Sequence, residues 1–122
     1  MNLDGKKVLV TGGASFIGSH LTDALVDKGA EVRIVDNLSS GHLENIKSHL
    51  ESGKVDFVEA DLTTPGVSVD VVKDIQIVFH LAADHGGRGY VDLHQAACTT
   101  NLALDGMLFR ACHEEGVDKV VY

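Results

Sequence analysis

Lys7-Val8-Leu9-Val10-Thr11-Gly12-Gly13-Ala14-Ser15-Phe16-Ile17-Gly18 joins an unbroken apolar run to a turn of small residues and then to the start of an amphipathic stretch. The apolar run reads as a strand buried on both faces. From Phe16 the apolar residues Ile17, Leu21, Ala24 and Leu25 recur at helical spacing, and Gly29 supplies a stop. A strand that turns into a helix within a few residues begins a βαβ unit, and the rest of the chain repeats that alternation. The pattern predicts a second strand over Glu31–Asp36, a helical stretch from Leu43 to Leu50, and a third strand over Val55–Glu59 running on toward Asp61. It then predicts a short helix near Val67 to Lys73, a fourth strand from Asp74 to Leu81, one long helix from about Val91 to Glu115, and a fifth strand from Lys119 to Tyr122. The expected fold class is α/β, a doubly wound parallel sheet forming one domain over residues 1–122. Pro65 falls in a loop, where its missing N–H does no harm. A parallel strand in a sheet interior leads into another crossover, so the sheet is expected to be truncated after its fifth strand.

The turn after the first strand has the composition of a Rossmann-type phosphate loop. Gly12, Gly13 and Gly18 meet the needs of a sharp turn, close backbone approach to a pyrophosphate, and tight helix–sheet packing. Ser15 stands where the common pattern has glycine; it is small, and it offers a hydroxyl to a phosphate. Asp36 ends the second strand about 20 residues beyond the loop, where a carboxylate accepts hydrogen bonds from ribose hydroxyls. Its charge would repel a 2′-phosphate, which favours NAD over NADP.

The chain has 122 residues, with 18 acidic against 10 basic side chains and a formal charge of −8. That balance opposes nucleic acid or an anionic membrane surface as a partner, so any phosphate must meet a local site. Backbone N–H groups at a helix N-terminus provide one whatever the overall charge. No stretch approaches the roughly 20 apolar residues of a membrane helix. The opening residues lack the apolar core of a secretion signal, so a cytoplasmic location is expected. Cys98 and Cys112 read as lying fourteen residues apart on one helix. About 21 Å of rise then separates them, and they should be free thiols. His94 and Cys98 stand at i, i+4 and could share a metal, but two ligands do not make a site and no second pair stands nearby.

Four segments follow in order the cofactor motifs of extended short-chain dehydrogenases that act on sugar nucleotides. They are Thr11-Gly12-Gly13-Ala14-Ser15-Phe16-Ile17-Gly18-Ser19-His20-Leu21, Asp36-Asn37-Leu38-Ser39-Ser40-Gly41, Asp61-Leu62 and His80-Leu81-Ala82-Ala83. The chain resembles that family over nearly its whole length. The resemblance implies that Phe16 and Ile17 place their backbone at the pyrophosphate and that Asp36 meets the adenosine ribose. It implies that Asn37, Leu38, Ser39, Ser40 and Gly41 line the adenosine pocket, with Asp61 accepting from the adenine amino group and Leu62 beside the ring. Leu81, Ala82 and Ala83 would border the nicotinamide side, and Asn101 would stand behind the nicotinamide ribose.

Ala83-Asp84-His85-Gly86-Gly87-Arg88-Gly89-Tyr90 resembles the glycine-pair loop of GDP-mannose 3,5-epimerases and, less closely, that of GDP-fucose synthases. By that likeness Gly86 and Gly87 let the loop pass close to a nucleotide-sugar substrate, and Arg88 meets a diphosphate or a sugar hydroxyl. In this family a tyrosine takes the proton of a sugar hydroxyl while NAD takes hydride from the same carbon. The keto sugar then goes on to epimerisation, elimination or reduction. The Tyr-x-x-x-Lys pair that does this is absent here; Tyr122 reads as a strand aromatic, and no lysine follows it. No catalytic residue is therefore assigned to this chain. Two functional classes stay open: the NAD-binding portion of an epimerase, dehydratase or reductase, and a dinucleotide-binding or interaction module without catalysis. The family also implies a homodimer through helices of this region, for which Leu102, Leu104, Leu108 and Phe109 supply apolar surface. The alternative is that these residues only pack on the sheet.

Overall fold

The computed structural model describes residues 1–122. Strands β1 (Lys7–Thr11), β2 (Glu31–Asp36), β3 (Val55–Glu59), β4 (Ile77–His80) and β5 (Lys119–Val121) form one parallel sheet in the order β3-β2-β1-β4-β5. Val8 lies opposite Val32 on one side and Ile77 on the other, and Thr11 opposite Val35 and His80. The chain thus moves outward from β1 to β3 and then returns to lay β4 against the free side of β1. Where the direction of winding reverses, the carboxyl ends of β1 and β4 leave a crevice between diverging loops, the usual ligand position in such sheets.

Alternation along each strand divides the core. Val8 and Val10 of β1, Val32 and Ile34 of β2 and Ile77 of β4 pack with Leu25 of α1 (Phe16–Asp27) and with Ile46. Leu50 of α2 (Lys47–Ser52) lies against the same cluster. Leu9, Val35 and Val78 point the other way. They pack with Val71 and Val72 of α3 (Val67–Val72) and with Leu108, Ala111 and Cys112 of α6 (Asn101–Glu114). Val8, Leu9 and Val10 are all 0% exposed, and each such side chain contributes about 1.5–3 kcal/mol. The sheet is covered on both faces as an α/β parallel sheet requires.

Several elements differ from the sequence-based expectation. β4 begins at Ile77 rather than Asp74, because Asp74 takes a left-handed turn conformation at φ 62°. The stretch from Leu43 opens as a 3-10 helix, Leu43–Ile46, before α2. The single long helix expected over Val91 to Glu115 is three: α4 (Arg88–Leu93), α5 (Gln95–Thr99) and α6. Side-chain hydrogen bonds to backbone carbonyls accompany the breaks. His94 stacks on Tyr90 with ring centres 4.1 Å apart, and its Nδ1 lies 2.9 Å from the Tyr90 carbonyl. Its backbone leaves the helical region at φ −127°, ψ 40°. The hydroxyls of Thr99 and Thr100 then bond back to the carbonyls of Gln95 and Ala97. Cys98 and Cys112 consequently lie on different helices, and both are free thiols. Of the apolar residues on α6, Leu108 is buried and Leu104 packs against the second core cluster, whereas Leu102 and Phe109 are exposed. Tyr122 lies just past β5 with its ring exposed and its hydroxyl donating to Asp105 Oδ2 at 2.8 Å.

Candidate functional site

The turn from β1 into α1 sets the site. Gly12 has φ +69°, and a Cβ on it would stand 3.0 Å from the Ala82 nitrogen, so only glycine lets this turn lie against the end of β4. A Cβ on Gly18 would run into the Gly12 carbonyl oxygen and stand 2.7 Å from the Gly13 Cα. Helix α1 can therefore come this close to its own turn only without that atom. Ser15 caps the helix, its hydroxyl donating to the Gly12 carbonyl at 2.7 Å and accepting from the Gly18 amide at 3.1 Å. The serine O–H is thus already committed. The amides of Phe16 and Ile17 donate to no acceptor in the protein, and both residues are exposed. Two open N–H groups at the start of a helix with no acidic residue in its first turn are suited to an anion.

Asp36 is buried at the end of β2. Its Oδ2 accepts from the Ala14 amide at 3.0 Å and its Oδ1 from the Leu38 amide at 2.8 Å. Leu38 takes a left-handed conformation to make that contact. Gly41 packs against the same carboxylate, since a Cβ there would lie 2.9 Å from both oxygens. A carboxylate oxygen has two lone pairs, so each oxygen retains one for a further donor. Beside it, Asp61 Oδ1 accepts from the Thr63 amide at 2.8 Å and the Thr63 hydroxyl at 2.6 Å. Asn37 Nδ2 stands 3.4 Å from Asp61 Oδ2. The Thr63 hydroxyl and then its amide hold the Asp61 carboxyl below its ordinary pKa, against a smaller opposing effect of burial.

These groups open on a cleft of about 460 Å³ at the carboxyl ends of the strands. Gly12, Ser15, Asp36, Asn37, Ser39, Ser40, Asp61, Leu62, Leu81, Ala82, Ala83 and Asn101 line it. Phe16, Ile17, Gly18, Leu38 and Gly41 are absent from its walls. Asn101 faces the cleft but uses its side chain on a neighbouring loop: Oδ1 accepts from the Asp84 amide at 2.7 Å, and Nδ2 donates to the Asp84 carbonyl at 2.9 Å. Gly86, Gly87 and Arg88 do not line the cleft. Gly87 caps α4, and the Arg88 side chain is 94% exposed, with Nε 3.7 Å from Asp92. Tyr90 reaches back to donate to Asp84 Oδ1 at 2.8 Å, a bond that raises its pKa.

The lining also includes residues that sequence reasoning missed, among them Ala60, Thr63, Asp84, Ala97, Thr100 and Leu104. Thr63 had a readable signal, because a threonine two residues after an aspartate forms a local side-chain turn. Ala97, Thr100 and Leu104 share helical spacing, but which face turns to the cleft depends on the helix breaks. The lining holds three carboxylates, Asp36, Asp61 and Asp84, and no lysine or arginine. A phosphate held here meets no lysine or arginine, and its donors are backbone amides and neutral polar side chains such as Ser39 and Ser40.

Residues 8–122 match the model of the NAD dependent epimerase/dehydratase family. A UDP-glucose 4-epimerase of Mycolicibacterium smegmatis is 38% identical over 117 residues, which is 95% of this chain and 37% of that protein. The UDP-glucose 4-epimerase of Thermus thermophilus, solved with NAD, superposes with a TM-score of 0.83 at 34% identity, covering 95% of this chain and 36% of that one. A dTDP-glucose 4,6-dehydratase from Streptomyces venezuelae, also solved with NAD, gives a TM-score of 0.85 at 26% identity over 95% of this chain and 38% of that one. The chain therefore spans little more than a third of the length of these three proteins.

Proposed function

The chain belongs to the NAD dependent epimerase/dehydratase family, and from that membership we propose that residues 1–122 are the NAD-binding portion of a sugar-nucleotide epimerase or dehydratase. The observation that carries this reading is the pair of open amides on Phe16 and Ile17 beside a cleft that has carboxylates and no lysine or arginine. That combination takes a pyrophosphate through backbone N–H groups and leaves the carboxylates for hydroxyl and amino donors. In this reading the free lone pairs of Asp36 accept from the adenosine ribose, where a 2′-phosphate would be repelled. Asn37 to Gly41, Asp61 and Leu62 hold the adenine end, with Thr63 keeping Asp61 ionised and aimed. Leu81, Ala82 and Ala83 take the nicotinamide side, and Asn101 acts there by fixing the Asp84 loop.

Bound NAD would supply a reversible hydride acceptor for the sugar carbon. The chain's residues orient the dinucleotide; the Tyr-x-x-x-Lys base is absent from this sequence, and proton removal is assigned to other residues of such an enzyme. The nucleotide-sugar substrate approaches along the Gly86-Gly87-Arg88 loop. The relatives named above act on UDP- and dTDP-sugars, so the likeness of this loop to GDP-mannose 3,5-epimerases rests on its residues alone. Exposed Leu102 and Phe109 on α6 support self-association, and the free thiols support a cytoplasmic setting. No helix is long and apolar enough to cross a membrane. Calorimetric titration with NAD and with NADP tests the reading. Saturable NAD binding with weaker NADP binding is expected, and failure of both to bind would refute it.

A further inference from the structure

Behind the cleft wall lies a buried polar chain that the nucleotide reading does not use. Thr11 Oγ1, at the end of β1 and fully buried, accepts from the amides of Leu81 and Ala82, both at 3.0 Å. A hydroxyl oxygen has two lone pairs and one hydrogen. Both lone pairs are taken, so the hydrogen must point elsewhere, and His80 Nδ1 stands 2.6 Å away. Nδ1 is therefore the acceptor. The ring hydrogen sits on Nε2 and is donated to Asp105 Oδ1 at 3.0 Å, and Asp105 Oδ2 accepts from the Tyr122 hydroxyl at 2.8 Å. One assignment of protons satisfies the buried Thr11 and His80 and the partly exposed Asp105, and the chain ends at the exposed Tyr122 hydroxyl.

We infer that His80 is a positioning residue for the dinucleotide site: held by Asp105 as the Nε2–H tautomer, it directs the Thr11 hydroxyl so that the oxygen fixes Leu81 and Ala82 on the nicotinamide wall. The inference rests on the dinucleotide reading of the cleft. Its consequence is a proton dependence. A proton on Nδ1 makes both partners donors, and Thr11 Oγ1 then faces three N–H groups with two lone pairs. The Leu81 amide also donates to the Thr11 backbone carbonyl at 3.2 Å, so the Ala82 amide, which has no second acceptor, is the one that lets go. The groups that face the ring are Thr11 from β1, Asp105 and Phe109 from α6, and Tyr122 beyond β5, with both aromatic ring centres 5.7 Å from it. Asp105 is the one charged group acting on the ring. Its attraction is smaller than the effect of burial, which lowers the His80 pKa from its ordinary 6.5 and keeps the ring neutral near pH 7.

The test uses the protein labelled with ¹⁵N in histidine and in the backbone, together with titrations of NAD and of ADP, which reaches only the adenosine end. Long-range ¹H–¹⁵N spectra should show His80 as the Nε2–H tautomer near pH 7. As the pH is lowered through its titration, the Leu81 and Ala82 amide signals should move with it. NAD affinity should fall roughly 5- to 10-fold over the same range while ADP affinity holds. Asp105→Leu should weaken NAD binding by a similar factor at pH 7, and Asp105→Asn, which keeps an acceptor for Nε2–H, should restore most of it. An Nδ1–H tautomer, wall amides that ignore the His80 titration, or equal losses for NAD and ADP would each overturn the inference. NAD binding that ignores both pH and Asp105→Leu sinks this inference alone. Absence of NAD binding to the unmodified protein sinks the cofactor reading and this inference with it.

Discussion

Replacing Asp36 with alanine should destabilise the ligand-free protein, not only weaken a ligand. The carboxylate accepts from the Ala14 amide at 3.0 Å and the Leu38 amide at 2.8 Å. Hydrogen bonds to a charged acceptor contribute about 1.5–3 kcal/mol each, and a buried donor left without a partner costs a similar amount. Ala14 is 0% exposed, so its N–H finds no water in exchange, and about 2 kcal/mol is lost there. Leu38 is half-buried on a loop and can recover a water, which limits its share to about 1 kcal/mol. The total of about 3 kcal/mol is a large part of the roughly 5–15 kcal/mol that holds a domain folded. In urea at a slope of about 2 kcal/mol/M, the unfolding midpoint should drop by about 1.5 M with the slope unchanged. Asp36→Asn, which keeps one acceptor oxygen, should fall between the two. A midpoint for Asp36→Ala within about 0.25 M of the unmodified protein would mean that the two amides are hydrated without the carboxylate, and the reasoning would fail.

Gly18→Ala puts a methyl group against the backbone of Gly12 and Gly13, and should cost about 1–3 kcal/mol in urea unfolding together with most of the NAD affinity. Gly89→Ala meets nothing within 4 Å and serves as the near-neutral control. Asn101→Leu removes both bonds to Asp84 and should speed hydrogen exchange at the Asp84 amide about 10-fold, with unchanged exchange refuting the clamp. Because burial lowers the His80 pKa from 6.5, the unfolded chain takes its proton more readily than the folded one. The associated stability is complete above pH 6.5 and declines as the pH falls from there toward the folded-state value. Urea midpoints between about pH 5 and 7 should show this slope in the unmodified protein and lose part of it in His80→Gln.

The dinucleotide turn was legible because its determinants are local. An apolar run at strand length, a helical period beginning at Phe16, and small residues between them specify β1, the turn and α1 within a short span. Asp36 was legible for the same reason, since it ends a strand of clear pattern. The boundaries of the helices after Gly87 were not. There the backbone at His94 leaves the helical region at φ −127°, ψ 40°, and a period of 3.6 residues does not register a local backbone break. The serine directly before the helical period at Phe16 is a readable helix cap, whereas nothing in the sequence indicated that Asn101 would clamp the Asp84 backbone 17 residues away. By itself the sequence determined an α/β sheet with a glycine turn and an acidic strand end, because those follow from turn chemistry and periodicity. The wall of the cleft and the Thr11–His80–Asp105 chain behind it exist only because β4 returns beside β1 and α6 packs across both. That juxtaposition, with hydrogen bonds between residues up to 71 positions apart, is a property of strand order, which only the tertiary structure decides.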